Sequence, residues 1–132
     1  MDEDCPIDHP DDIYAYAYEF YAHGHYEEAK SLFSLLVVKE TKNVSYWMGL
    51  GACLQMQKKY KEALEAYAAA ALLETTEKNP LPHFYAAECF IALNDVTSAL
   101  QALNSASIIA TKDEKYEPLT IQINLIKNAW SL

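Results

Sequence analysis

The chain has 132 residues, with ten lysines, no arginine and nineteen acids, a formal net charge of −9. That balance excludes a nucleic-acid backbone binder, which needs clustered cations to displace counterions. At 52% apolar residues the chain can bury a core, and with only three glycines it lacks the tight-turn signals of a β protein.

In chain order, residues 1–10 form an acidic arm expected to be disordered, and a single domain is expected over 11–132. The segment from Asp2 to Asp12 holds six acids and no base, and such blocks are usually solvated. Asp11 and Asp12 are expected to cap and charge the start of a first helix that Gly24 ends. A second helix follows through Ala29 and Phe33. The next helical pair runs through Trp47, Gly51, Ala63 and Tyr67. A polar stretch, Glu74–Asn79, then reads as a loop. Pro80 and Pro82 suit the opening of a fifth helix, where a missing N–H does little harm. A seventh helix is expected over 115–130, with Leu119, Ile123 and Ile126 on one stripe and Pro118 in its first turn.

These elements repeat. Ala17, Gly51 and Ala87 are separated by 34 and 36 positions, and Ala29, Ala63 and Ala99 keep the same offsets. Bulky residues hold the register: Ile13, Trp47 and His83; Phe20, Leu54 and Phe90; Phe33, Tyr67 and Leu103. A period of 34 with small residues at the helix crossings is the tetratricopeptide pattern of paired helices. The predicted fold is all-α: three tandem repeats over about 10–43, 44–77 and 80–113 plus a C-terminal capping helix, wound as a right-handed superhelix with a concave groove. Ala29, Ala63 and Ala99 are expected to be buried.

The first helix of each unit carries a second apolar stripe beside the one its core needs. Tyr14, Tyr18 and Tyr21 stand one position after Ile13, Ala17 and Phe20, so they point to the adjacent face. The second unit places Met48, Ala52, Gln55 and Met56 there, and the third Phe84, Glu88 and Ile91. A solenoid has no further layer against its inner face, so this recurrence predicts a groove for an extended apolar peptide. Tyrosine tolerates a wet free state through its hydroxyl, and methionine adapts its shape.

The strings from Asp12 to Tyr21, Tyr26-Glu27-Glu28-Ala29, Met48-Gly49-Leu50-Gly51-Ala52-Cys53 and Ala86-Ala87-Glu88-Cys89 resemble the class II type III secretion chaperones, the SycD/LcrH/IpgC type, over about residues 11–130. The resemblance implies a chaperone of the bacterial cytoplasm that binds secreted translocator proteins through an extended hydrophobic segment in the concave groove. It places the family's groove aromatics on Tyr14, Tyr18 and Tyr21. Family members usually carry a longer N-terminal helical segment implicated in dimerisation, which leaves a homodimer possible here.

No other chemistry is expected. His23 and His25 flank a glycine and cannot form an i, i+4 metal face, so neither metal nor cofactor is predicted. Cys53 and Cys89 read as core, and Cys5 completes an odd set with no C-x-x-C, in keeping with a reducing compartment. No nucleophile–base pairing or phosphate loop suggests an enzyme. The longest apolar run, Ala66–Leu73, is far short of the roughly 20 residues of a membrane span, so no membrane insertion is expected. The competing readings are an adaptor of the carboxylate-clamp kind, which requires basic residues on the inner face, and a scaffold that binds a needle subunit or other protein segment.

Overall fold

The computed structural model describes residues 9–130. Among them the chain is helical throughout: α1 (Pro10–Ala22), α2 (Tyr26–Lys39), α3 (Val44–Met56), α4 (Tyr60–Leu73), α5 (Leu81–Ala92), α6 (Val96–Ala110) and α7 (Glu117–Trp130). These fall into two compact units that divide between Leu73 and Glu74, α1–α4 in the first and α5–α7 in the second. Residues 1–8 of the expected acidic arm lie outside the described residues. His9 and Pro10, assigned to that arm from sequence, instead open α1. The cap is His9, whose Nδ1 accepts from the Asp11 backbone N–H at 3.2 Å, while Asp11 and Asp12 lie in the first turn. A histidine with extended backbone can therefore do what the aspartates were expected to do.

The turns inside the three helical pairs are built alike. Gly24, Lys58 and Asn94 occupy equivalent positions and adopt φ of 80°, 63° and 62°. At each, the left-handed residue donates its N–H three residues back and the next residue donates five back: Gly24 to Tyr21 and His25 to Phe20, Lys58 to Gln55 and Lys59 to Leu54, Asn94 to Ile91 and Asp95 to Phe90. This is the Schellman arrangement, and it satisfies carbonyls that a helix end would leave open. Only one of the three turns uses glycine, so the turn is set by register and packing as much as by residue type.

In the first unit Ile13, Ala17, Ala29, Phe33, Leu36, Tyr46 and Cys53 form the centre of the core. The crossings are close because α3 offers backbone instead of side chains. A methyl group on Gly49 would overlap the Phe33 ring of α2, and one on Gly51 would stand 2.6 Å from the Tyr67 ring of α4. Helix α3 thus receives one aromatic ring on each side. Ala63, Ala66 and Ala70 of α4 are likewise buried.

In the second unit Phe84, Ala87, Leu103, Ala106 and Ile123 make the core, with Leu119, Ile126 and Trp130 packed against it. The expected stripe of the last helix is therefore the buried one. That helix begins two residues later than expected, because a 3₁₀ turn, Glu114–Tyr116, precedes it and Asp113 caps that turn through the Lys115 N–H at 3.1 Å. Pro80 and Pro82 open α5 as the sequence suggested, with Pro80 at the cap. Ala29, Ala63 and Ala99 are all fully buried.

Gly49→Ala gains about 1 kcal/mol of helix propensity, but it forces a methyl into a ring that is itself fully buried. Overpacking of that kind costs about 1–3 kcal/mol. Denaturant titration should therefore give a net loss of stability, and an unchanged or raised midpoint would contradict the close approach. Burial also pushes the Cys53 and Cys89 thiols up to about 12. A raised native value makes the stabilisation complete below the thiol's ordinary value near 9 and erodes it as pH climbs towards 12. In a Cys5→Ser background, a thiol reagent at pH 8 should label Cys53 and Cys89 only on unfolding, and the denaturation midpoint should fall between pH 9 and pH 11. Prompt labelling of the native protein would contradict this burial.

Candidate functional site: an aromatic face on the first unit

Tyr14, Tyr18 and Tyr21 form a ladder along α1. The Tyr14 and Tyr18 rings meet edge to face at 4.9 Å, and Tyr18 and Tyr21 at 6.4 Å. Both ends are tied down: Tyr14 meets Tyr46 of α3 at 5.3 Å, and Tyr21 meets Tyr26 of α2 at 5.4 Å. Phe33 lies beneath, edge to face with Tyr14 at 6.1 Å and with Tyr18 at 5.4 Å. Such pairs contribute about 0.5–1.5 kcal/mol each beyond their area. The exposed rings are thus held in place before any ligand arrives.

Tyr18 is the ring this arrangement leaves most open, at 43% exposure, while Tyr14 and Tyr21 are half-buried. Desolvation among the rings, and then a hydrogen bond with the Tyr14 hydroxyl, push the Tyr18 phenol above its ordinary range. It stays protonated across any physiological pH and keeps a hydroxyl able to donate.

On α3, Met48, Ala52 and Gln55 are half-buried and Met56 is 48% exposed. The Tyr67 hydroxyl donates to Gln55 Oε1 at 2.7 Å and fixes that amide from below. All seven first-unit residues singled out from sequence are at least partly accessible on α1 and α3, and none carries a charge. The acids that act on this face do so from its margin: Glu40 and Asp11 both contribute to raising the Tyr46 phenol, after burial itself.

In the second unit one expectation fails. Phe84 was assigned to the groove, yet it is only 4% exposed and packs with Ala87, Leu103, Ala106 and Ile123. The leading position of the stripe is engaged by a later helix of its own unit. Tyr14 meets Tyr46 of α3, and Phe84 shares a buried cluster with Ile123 of α7. Ile91 is exposed and Glu88 is half-buried.

Sequence reasoning missed Phe33 and Tyr46 as supports of the site. Phe33 was visible only as a core column. Tyr46 stood outside every column, although its place one turn before Gly49 on the same helix was a usable signal. The two cysteines lie in the core as expected. Among the described residues no group of three or more His, Cys, Asp or Glu is gathered as a metal site would need, and no helix is long and apolar enough to cross a membrane.

Two tetratricopeptide-repeat family models match the chain, over residues 14–80 and 54–120. The chaperone protein SicA of Salmonella typhimurium is 34% identical over 96 residues, covering 73% of this chain and 57% of SicA, so the chain spans little more than half the length of that relative. Among solved structures, PcrH in complex with the chaperone-binding region of PopD superposes with a TM-score of 0.87 at 29% identity, over 98% of this chain and 96% of that one. The Yersinia enterocolitica type III secretion chaperone SycD, in complex with a peptide of the translocator YopD, superposes with a TM-score of 0.86 at 27% identity, over 90% and 89% of the two chains. The chain belongs to the tetratricopeptide-repeat proteins and, within them, to the class II type III secretion chaperones.

Proposed function

We propose that this chain is a chaperone of the bacterial cytoplasm that binds a secreted translocator protein through an extended hydrophobic segment, keeping it soluble and competent for export. The observation that carries this reading is the uncharged, pre-positioned face of the first unit, with Tyr18 and Met56 open and the neighbouring rings fixed beneath and beside them. The relatives PcrH and SycD, crystallised with segments of PopD and YopD, support the class of ligand.

The physical roles divide by residue. Tyr18, Tyr21, Met48 and Met56 supply apolar contact, and the ring edges and faces accept aliphatic side chains of the bound segment. Tyr14 chiefly positions Tyr18, since its ring also packs on Phe33 and Tyr46. Ala52 is small enough to let the ligand backbone approach. An extended strand brings unpaired amides and carbonyls, which the Tyr18 hydroxyl and the Gln55 amide can bond. The second unit, taken by itself, presents Ile91 as an exposed apolar side chain and Glu88 as a half-buried carboxylate. A carboxylate clamp is disfavoured because this stripe holds no cation, and nothing in these roles calls for catalysis.

Burying one aromatic side chain contributes about 1.5–3 kcal/mol, equivalent to about ten- to a hundredfold in affinity. Tyr18→Ala should weaken binding of a translocator-derived peptide by that factor in a calorimetric titration, and Tyr18→Ala combined with Met56→Ala by more. Helicity should hold, while the melting temperature falls by a few degrees at most through the lost ring contacts of Tyr18. Tyr16→Ala, which removes an exposed ring from another face of the same helix, should leave affinity unchanged. Equal binding by the folded double variant would refute this face as the site.

A further inference from the structure

A concavity apart from the aromatic face lies in the second unit, between α6 and the end of α7. Its volume is about 420 Å³, and its walls are Leu100 and Asn104 of α6 with Lys127, Asn128 and Trp130 of α7. Sites for small ligands span about 300–1,000 Å³. Trp130 is packed on the core cluster of Phe84, Leu103 and Ile123 yet stays partly accessible, so its ring is a fixed wall. Leu100, also partly accessible, is the other apolar wall. Lys127 donates to Asn104 Oδ1 at 2.6 Å and so bridges the two helices. Leu100 lies one turn before Asn104, and Trp130 one turn after Lys127. The bridge therefore crosses one end of the concavity while the apolar pair flanks the other.

Charge narrows what fits. The chain carries a net −9, yet Lys127 is the only base on α6 and α7. Its partner is a neutral amide, which engages one of its three hydrogens and compensates none of its charge. Among the described residues no carboxylate is paired with it. The acids of these two helices are remote. Glu117 opens α7 about 15 Å along the helix from Lys127, and Asp95, the cap of α6, lies about 14 Å from Asn104. Both separations exceed the screening length of about 8 Å at physiological salt. A carboxylate would thus meet a donor with uncompensated charge, and such charge-assisted bonds are about twice as strong as neutral ones. A heavily acidic partner is repelled by the net −9, so the ligand brings a single negative charge. The bridge blocks a strand from running through, so the ligand is a chain end.

We propose that this concavity captures the C-terminal residue of a partner chain, with its apolar side chain between Leu100 and Trp130 and its α-carboxylate on Lys127. In a terminal residue the two groups share one carbon, so a single concavity holds both. Capture of a chain-terminal carboxylate is an established way of recognising peptides. Lys127 supplies here the cation that the aromatic face of the first unit lacks.

Titration of the nitrogen-15-labelled full chain with N-acetyl-glycyl-seryl-leucine tests this, read at the Trp130 indole N–H and the Asn104 side-chain amide. The free acid should shift both signals saturably and bind at least about tenfold more tightly than the same peptide ending in an amide. N-acetyl-aspartyl-leucine amide, whose carboxylate sits on a side chain, should bind as weakly as that neutral peptide. Lys127→Gln should erase the preference for the free acid with an unchanged circular dichroism spectrum, and Lys127→Met serves as a second variant should the first perturb folding. No saturable shift at the two signals, equal binding of acid and amide, equal binding of the side-chain acid, or a folded Lys127 variant that keeps the preference would each overturn the proposal.

Discussion

The contact on which the first unit depends is an aromatic ring seated on glycine backbone. Phe33 of α2 and Tyr67 of α4 lie against opposite sides of α3, at Gly49 and Gly51, in space that any Cβ would fill. Interiors are packed too tightly to yield that space cheaply. The same two rings also support the proposed site: Phe33 packs under Tyr14 and Tyr18, and the Tyr67 hydroxyl holds the Gln55 amide. Fold and candidate face are therefore not separable at these positions. A substitution that unseats either ring disturbs the open side chains above it.

Much of this could be read from the sequence because a repeat imposes one geometry three times. The offsets of 34 and 36 positions located the buried alanines, the helix pairs and the stripe on α1 and α3. The polar Glu74–Asn79 stretch, read as a loop, does lie between α4 and α5. Repetition misled at Phe84. Its column held Tyr14 and Met48, both partly accessible, but its own unit ends in α7, and Phe84 is buried in one cluster with Ile123 of that helix. A terminal element alters the environment of the residues it covers without altering their spacing, so periodicity alone could not distinguish that position. The cap of α1 escaped for another reason: propensity favours aspartate, while the backbone placed His9 at the boundary.

The turn residues illustrate the same limit from the other side. Gly24 announces a left-handed position and Asn94 suits one, whereas Lys58 adopts it with no such signal. A lysine there costs about 1–2 kcal/mol relative to a helical conformation. The two Schellman hydrogen bonds and the packing of the flanking helices offset it. The register of the repeat, not the identity of the residue, forces the turn.

In the proposed peptide site, tyrosine serves the free state as well as the bound one. A phenylalanine at position 18 would present the same ring but leave it unsolvated, and a patch of such exposed rings invites aggregation. The hydroxyl reconciles the two demands, since it is hydrated in the free state and able to bond a strand's backbone in the bound one. That logic requires the phenol to remain neutral, because a phenolate would have to be stripped of water before an apolar segment could settle on it. The environment of Tyr18 enforces neutrality, through desolvation by its neighbours and the hydrogen bond with Tyr14. The ladder spacing of α1 thus does two things at once: it sets the rings edge to face, and it keeps the most exposed of them uncharged.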